Sequence, residues 1–282
     1  MNTFNLGPAI LFVPADRPER YAKAYERSDA IIIDLEDAVA PDDRPAARRA
    51  LAAHLANMDA ATTAKTIVRV NPVNEPDYLD DVKLLSTTSV AYVMVPKAEN
   101  PTDCDHISAA LPGVELIALC ETATGVVQAA NIARHPAVAG LMWGSEDLMV
   151  STGGTSSRFP DATYRDVPRF ARAQVLLAAA AAGKASIDTI HTDISPTQQF
   201  IAEAEDAVAT GWTAKACIHP AQVQIVRQAY TPTDTEIEYA ESLLHEVAHQ
   251  AGVFQFRGTM VDSPLIAHAQ NILDRAAKLK AI

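Results

Sequence analysis

Two acidic residues, Glu121 and Asp147, follow consecutive short apolar runs of the chain. Carboxylate oxygens with no thiolate or paired imidazole beside them suit a hard divalent cation such as Mg²⁺, which keeps several waters that a substrate can displace. The pattern therefore predicts a metal site held by these two carboxylates. The alternative, for each residue taken alone, is that it caps the following helix or pairs with Arg69 or Lys97.

A second acidic group, Asp34, Glu36 and Asp37, ends another apolar run, and Arg69 ends the next one along the chain. An arginine beside a metal site can stabilise a developing oxyanion through its planar, two-pronged guanidinium. We predict this role for Arg69, and we expect at least one of the three acids to brace Arg69 or orient a metal-bound water. The alternative for Arg69 is a purely structural ion pair with the acidic group.

Other polar residues are weaker candidates for a catalytic or metal-binding role. Lys97 follows its own apolar run and can either bridge carboxylates or take part in catalysis. His191 and His219 lack the spacing of a zinc pair. The motifs of serine hydrolases, P-loop enzymes, dinucleotide-binding folds and zinc peptidases are missing. A metal without a redox cofactor favours carbon–carbon chemistry through an enolate.

The positioning elements are eight apolar runs separated by alanine-rich, helix-like segments. Continuous rather than alternating apolar runs indicate strands buried on both faces, and their alternation with helices indicates parallel βαβ units. The predicted strands are Ala9–Val13, Ala30–Leu35, Thr66–Val70, Val90–Val95, Val114–Leu119, Gly140–Trp143, Ala185–Ile190 and Ala214–Ile218.

Eight such units predict an α/β fold of the (β/α)8 TIM-barrel type, with an open doubly wound sheet as the rival. In barrels of this type the active site lies at the carboxyl ends of the strands, where nearly every predicted strand delivers a charged or titratable group. We expect residues 1–230 to form the catalytic barrel. Residues 231–282 exceed what a barrel needs, and we expect a C-terminal helical extension that packs on a neighbouring subunit or covers a site.

Charge and cysteine usage limit the partners and the compartment. Lys and Arg number 23 against 35 Asp and Glu, so the net charge of −12 repels nucleic acid. The apolar runs are too short to span a bilayer, which predicts no membrane partner. The three cysteines, Cys104, Cys120 and Cys217, have no CxxC spacing, and we expect a cytoplasmic protein without disulfides.

Eight short motifs, in order along nearly the whole chain, resemble the citrate lyase β-subunit-like proteins of the aldolase/citrate lyase family. Any one motif is weak evidence, and the eight together favour the family more strongly than a particular substrate. The motifs are Phe12–Arg20 (FVPADRPER), Asp34–Val39 (DLEDAV), Arg69–Asn71 (RVN), Val95–Glu99 (VPKAE), Glu121–Ala123 (ETA), Gly144–Leu148 (GSEDL), Cys217–Pro220 (CIHP) and Met260–Pro264 (MVDSP).

The resemblance implies roles for several residues. It implies Mg²⁺ as the cofactor on Glu121 and Asp147, and substrate oxygens on Arg69 and around Glu121. It also implies a homotrimer in which an aspartate matching Asp262 acts in an adjacent subunit's site. It implies that Asp34 and Glu36 are acids that organise the site. It also implies contacts to the phosphates of coenzyme A from Arg17, Arg20 and Ser151–Arg165.

The implied activity is the reversible cleavage of a carboxylated β-hydroxyacyl-CoA into an acyl-CoA and an α-keto acid. The substrates implied are of malyl-, citramalyl- or citryl-CoA type. Three alternatives stay open: the β subunit of a citrate lyase complex acting on an acyl-carrier thioester, a pyruvate-type aldolase, and a non-catalytic barrel subunit.

Overall fold

The computed structural model describes residues 4, 6–195, 197–247, 249–250 and 252–280. Within them, eight parallel strands close into a barrel in sequence order, β1 pairing with both β2 and β8. The (β/α)8 prediction is thereby confirmed. The strands are β1 Ala9–Pro14, β2 Ala30–Asp34, β3 Thr66–Arg69, β4 Tyr92–Val95, β5 Glu115–Cys120, β6 Val138–Trp143, β7 Ala185–Asp188 and β8 Ala214–Cys217.

Helices follow the strands, as a parallel sheet requires. Those of the first 230 residues are α1 Tyr21–Arg27, α2 Arg44–Leu55, α3 Ala60–Ala64, α4 Asp77–Leu85, α5 Pro101–Ala110, α6 Ala123–Ala133, α7 Ser145–Thr152, α8 Asp166–Ala181, α9 Gln198–Thr210 and α10 Pro220–Tyr230. Along each strand, side chains that point into the barrel alternate with side chains that point outward. The inward apolar side chains pack into one buried core. Every strand contributes, through Ile10, Ile32, Ile67, Met94, Ile117, Met142, Ile187 and Ala216.

One helix changes the sequence-based interpretation. Ser151–Arg165 is the segment for which the resemblance implies coenzyme A contacts, and its first two residues, Ser151 and Thr152, end α7. Glu146 and Asp147 lie in the first turn of α7, where negative charge complements the helix dipole. Gly153, with φ of +70°, terminates the helix in the left-handed conformation that glycine adopts without steric cost.

The chain divides into two compact units, Met1–Val226 and Arg227–Ile282. The second unit contains α11 Asp234–Val247, an antiparallel hairpin of β9 Phe254–Phe256 and β10 Thr259–Val261, and α12 Ser263–Lys280. Its own apolar core is formed around Ala240, Leu243, Val261 and Ala269. Among the described residues, no helix is both long and apolar enough to cross a bilayer.

Candidate active site at the barrel rim

Asp34 and Arg69 form a two-pronged ion pair at the carboxyl ends of adjacent strands. They are the last residues of β2 and β3, and the strand register places them opposite each other. Arg69 donates from Nε to Asp34 Oδ1 at 2.7 Å and from Nη2 to Oδ2 at 2.6 Å. Asp34 also accepts the backbone N–H groups of Glu36 and Ala38, each at 3.0 Å. The carboxylate therefore fixes the plane of the guanidinium.

Glu36 is buried two residues beyond β2 and binds both cations of the rim. Its Oε2 lies 2.8 Å from Arg69 Nη1, and its Oε1 accepts a hydrogen bond from Lys97 Nζ. Burial raises the pKa of Glu36 to about 7, against the opposing effect of Arg69 and Lys97. The carboxylate is held in place, but the two cations do not fully compensate its charge.

Glu121 follows β5 directly and is 3% exposed. Its Oε1 accepts the backbone N–H of Lys97 at 3.1 Å. A Cβ at Gly144 would lie 2.8 Å from Glu121 Oε2, so only glycine leaves this carboxylate its space. Burial, followed by the charge of Asp147, raises the pKa of Glu121 to about 8. The position thus favours a cation that would share the charge of both carboxylates.

Asp147 lies near the same charged side chains but belongs to a helix and not to a strand end. It was expected at a strand end equivalent to that of Glu121, but it lies in the first turn of α7. Its side chain is 34% exposed, and Oδ1 is 3.5 Å from Lys97 Nζ. The sequence-based placement was wrong because the short α7 was not recognised, although Gly153 was a usable signal for its end.

We call Asp34, Glu36, Arg69, Lys97, Glu121 and Asp147 the rim cluster; it sets four carboxylates against two cations. Among the described residues, no three His, Cys, Asp or Glu side chains converge as a metal-ligating group. A site of two carboxylates, completed by water and substrate oxygens, is how proteins commonly bind Mg²⁺, whereas structural zinc needs four protein ligands. The residues present therefore fit Mg²⁺.

Phe12 completes the surroundings of Arg69 and was missed as a site residue. It lies on β1, packs against the barrel core, and its ring centroid is 5.2 Å from the Arg69 guanidinium carbon. The alternation of inward positions along β1, with Ile10 two residues earlier, was a signal that could have found it.

Four other candidates from the sequence lie outside the rim cluster. Arg17 is 54% exposed just beyond β1 and pairs with Asp16 at 3.7 Å. Asp262 belongs to the second unit, where its Oδ1 accepts the N–H of Leu265 at 3.4 Å at the start of α12. The two histidines have local partners, Glu203 for His191 and the backbone of Ala221 for His219.

A second group of charges, which we call the outer cluster, consists of Asp188, Lys215, Arg172 and Asp206. Asp188 ends β7, and its side chain contacts Arg172 of α8 and Lys215 of β8. It also accepts a 2.7 Å hydrogen bond from the indole of Trp143. Burial disfavours ionisation of Asp188, yet Lys215 and Arg172 outweigh burial and hold its pKa below the usual range.

The fold and the rim cluster define a class: a (β/α)8 barrel with an excess of buried carboxylate at the end where barrel enzymes carry their active sites. A family model described as HpcH/HpaI aldolase/citrate lyase matches residues 9–220, and a model of a carbon–carbon bond lyase of the TIM-barrel fold matches residues 166–279. The chain belongs to the HpcH/HpaI aldolase/citrate lyase family. The resemblance drawn from the motifs is confirmed.

Individual relatives cover almost the whole chain. A citrate lyase subunit beta-like protein of Mycobacterium tuberculosis is 42% identical over 278 residues, 99% of this chain and 98% of the relative. The mitochondrial citramalyl-CoA lyase of Mus musculus is 31% identical over 96% of this chain and 86% of its own length. A crystal structure of CitE from M. tuberculosis with magnesium, acetoacetate and coenzyme A is 43% identical, covers 96% of this chain and 98% of that one, and has a TM-score of 0.89.

Proposed function

We propose that this protein is a Mg²⁺-dependent carbon–carbon lyase acting on a carboxylated β-hydroxyacyl-CoA of malyl-, citramalyl- or citryl-CoA type. The reversible products are an acyl-CoA and an α-keto acid. The observation that carries the proposal is the rim cluster, in which four carboxylates, Glu121 and Asp147 among them, share only two cations of the cluster. The relatives support the substrate class, since one is a citramalyl-CoA lyase and another binds magnesium and coenzyme A.

Glu121 and Asp147 would hold the ion, which when bound supplies a Lewis acid for hydroxyl and carboxylate oxygens of the substrate. A general base takes the hydroxyl proton, and the O–H electron pair forms the new keto C=O. The electrons of the broken carbon–carbon bond pass to the thioester as an enolate. A general acid then protonates the enolate carbon and releases the acyl-CoA.

Arg69 is proposed to bind the oxygen on which this negative charge develops. Nε and Nη2 donate to Asp34, and Nη1 lies 2.8 Å from Glu36 Oε2, so the N–H groups of the guanidinium that Asp34 does not use are available to the substrate. Asp34 and Glu36 are proposed to keep the guanidinium oriented throughout the reaction, so that no reorganisation is needed as charge develops.

Arg17 is proposed to contact the phosphates of coenzyme A. Its guanidinium is exposed just beyond β1, at the carboxyl end of the barrel strands, and forms a long pair with Asp16. An exposed arginine of this kind can exchange a 3.7 Å carboxylate contact for a phosphate with little loss. Arg20, 62% exposed on the same segment, is a second candidate.

Asp262 and residues 231–282 are proposed to act in an adjacent subunit of a homotrimer, with Asp262 as the proton donor or acceptor for the enolate. The support is the match of Met260–Pro264 to a family motif. Mixing inactive Asp262→Ala with inactive Glu121→Ala under conditions of subunit exchange tests this arrangement. Recovered activity is the expected result, and no recovery despite verified exchange would contradict it.

The cytoplasm is the proposed compartment. Its support is that Cys104 and Cys120 are buried free thiols, which suits a reducing environment.

The test of the activity is a coupled assay of purified protein with malyl-, citramalyl- and citryl-CoA, with Mg²⁺ and with a chelator. We expect cleavage of at least one thioester that requires the metal and is lost in Glu121→Gln. Cleavage only of an acyl-carrier thioester would favour a citrate lyase β subunit, and cleavage of free hydroxy-keto acids would favour a pyruvate-type aldolase. Full activity in chelator would contradict the metal mechanism.

A further inference from the structure

Lys97 adopts a backbone conformation that is uncommon for a residue with a side chain. It follows β4 by two positions, and its φ is +47°. A Cβ makes this left-handed region unfavourable, so a non-glycine residue is kept there only where the surroundings compensate the strain. Such strain is found preferentially at functional sites.

The backbone of Lys97 makes contacts that depend on this strained conformation. Its N–H donates to Glu121 Oε1 at 3.1 Å, and the next N–H, of Ala98, donates to the carbonyl of Leu119 on β5 at 3.0 Å. The space is tight, since a Cβ at Gly125 would lie only 2.4 Å from the carbonyl oxygen of Ala98. The left-handed turn thus places the backbone after β4 next to Glu121, where the N–H of Lys97 fixes the position of Glu121 Oε1.

The side chain of Lys97 serves two other carboxylates. Its ammonium bonds to Glu36 and lies 3.5 Å from Asp147, and the side chain is 32% exposed. Glu36 is 2% exposed, whereas Asp147 is 34% exposed. The ammonium is therefore anchored at its buried partner and loosely held at the one nearer to solvent.

We propose that Lys97 is a positioning residue of the metal site: its backbone holds Glu121, and its ammonium acts as a resident counter-ion that releases Asp147 when a divalent cation binds. The inference rests on the Mg²⁺ site of the proposed function. A dication shared by Glu121 and Asp147 repels a nearby ammonium, while Glu36 retains it. Lys97 thereby lowers the affinity of the site for the metal, and it compensates the negative charge of Asp147 while no metal is bound.

The sign of the effect separates this role from simple structural support. Removing the ammonium removes both the competitor for Asp147 and the repulsion of the dication, so Mg²⁺ should bind more tightly. At a partly exposed site the gain should be on the order of tenfold in Kd. A lysine that only stabilised the site would instead weaken Mg²⁺ binding when replaced.

The test is calorimetric titration of Mg²⁺ into the full-length chain without substrate, at fixed ionic strength. Lys97→Met and Lys97→Gly should bind Mg²⁺ about tenfold more tightly than the wild type, and Lys97→Arg within about twofold of it. The matched control is Lys184→Met, a lysine that precedes β7 at the opposite end of the strands and should leave Kd unchanged. Equal or weaker binding in both neutral variants would overturn the counter-ion role.

A further pair of variants tests the backbone role. Lys97→Gly and Lys97→Val both lack the ammonium, but glycine adopts φ of +47° freely, whereas this conformation is far less favourable for a β-branched side chain than for an unbranched one. Lys97→Val should therefore bind Mg²⁺ more weakly than Lys97→Gly, and equal affinity would overturn the backbone role. If Lys97→Val does not fold, Lys97→Thr against Lys97→Gly makes the same comparison, since threonine is also β-branched.

The titration needs no catalytic turnover, so it separates this inference from the proposed function. Tighter binding in Lys97→Met together with no thioester cleavage by the wild type would overturn the lyase proposal and support the role of Lys97. Thioester cleavage by the wild type without the shift in the Kd for Mg²⁺ would support the lyase proposal and overturn the role of Lys97.

Discussion

The rim cluster and the outer cluster each bring opposite charges together around buried carboxylates, and they differ in how the charges balance. In the rim cluster, four carboxylates share Arg69 and Lys97. In the outer cluster, Asp188 and Asp206 share Arg172 and Lys215. A buried charge is costly unless it is paired, so the balanced cluster suits structural support. The unbalanced cluster suits the binding of a further cation.

The pKa values of two buried carboxyl groups express the same difference. Asp188 has partners on both oxygens, with Trp143 and Arg172 on Oδ1 and Arg172 and Lys215 on Oδ2. Its pKa is held low in spite of burial. Burial and the neighbouring Asp147 instead raise the pKa of Glu121 to about 8. Burial alone therefore does not distinguish the two carboxylates; the proposal of a metal ligand at Glu121 rests on its lack of compensation.

The largest expected effect is that of Glu121→Gln. The side-chain volume is kept, so the close approach of Gly144 is undisturbed, but a metal ligand becomes neutral. We expect kcat to fall by about 10³-fold, since a bound metal contributes several kcal/mol to charge stabilisation. The melting temperature of the metal-free protein should stay equal or rise, because an uncompensated buried carboxylate is removed. A marked drop in that temperature would break the comparison.

Asp188→Asn should have the opposite profile. It leaves Lys215 and Arg172 without their buried carboxylate, so the free energy of unfolding should fall by about 3 kcal/mol, as measured in urea. Activity per folded molecule should be retained. Because the folded pKa lies below 3.8, the stabilisation by Asp188 is present above that pH and is lost as the pH falls further. The difference from the wild type should therefore shrink in acid.

Arg69→Lys tests the cation of the rim cluster. Lysine keeps the charge but lacks the planar fork that binds Asp34 on one edge and leaves N–H bonds for substrate on the other. We expect kcat to fall by on the order of 10²-fold, comparable to the loss of one oxyanion donor. Steady-state kinetics on the cleaved thioester measures this. A raised KM with unchanged kcat would assign Arg69 to substrate binding alone.

The smallest effect is expected for Asp206→Asn. Asp206 pairs with Arg172 but its side chain is 55% exposed, and exposed ion pairs contribute about 0.5 kcal/mol or less. The urea midpoint should therefore barely move, and activity should be unchanged. A loss as large as that of Asp188→Asn would mean that the outer cluster acts as one unit and not through its buried end.

The amino-acid sequence by itself determined the eight strands and most of the longer helices. Continuous apolar runs indicate burial on both faces regardless of context, which is why the strand predicted at Thr66–Val70 is found at Thr66–Arg69, within one residue. It also determined which end of the barrel carries charge at Asp34, Arg69 and Glu121, because a residue that ends a parallel strand lies at that end in any barrel.

Only the tertiary structure decided how those charges are paired. The register of β2 against β3 places Asp34 on Arg69, and the short α7 brings Asp147 towards Lys97. The same spacing rules put Asp188 at the end of its strand, but its side chain meets Arg172 of α8. Pairing depends on distances between residues far apart in the chain, and hydrophobic periodicity contains no information on those distances.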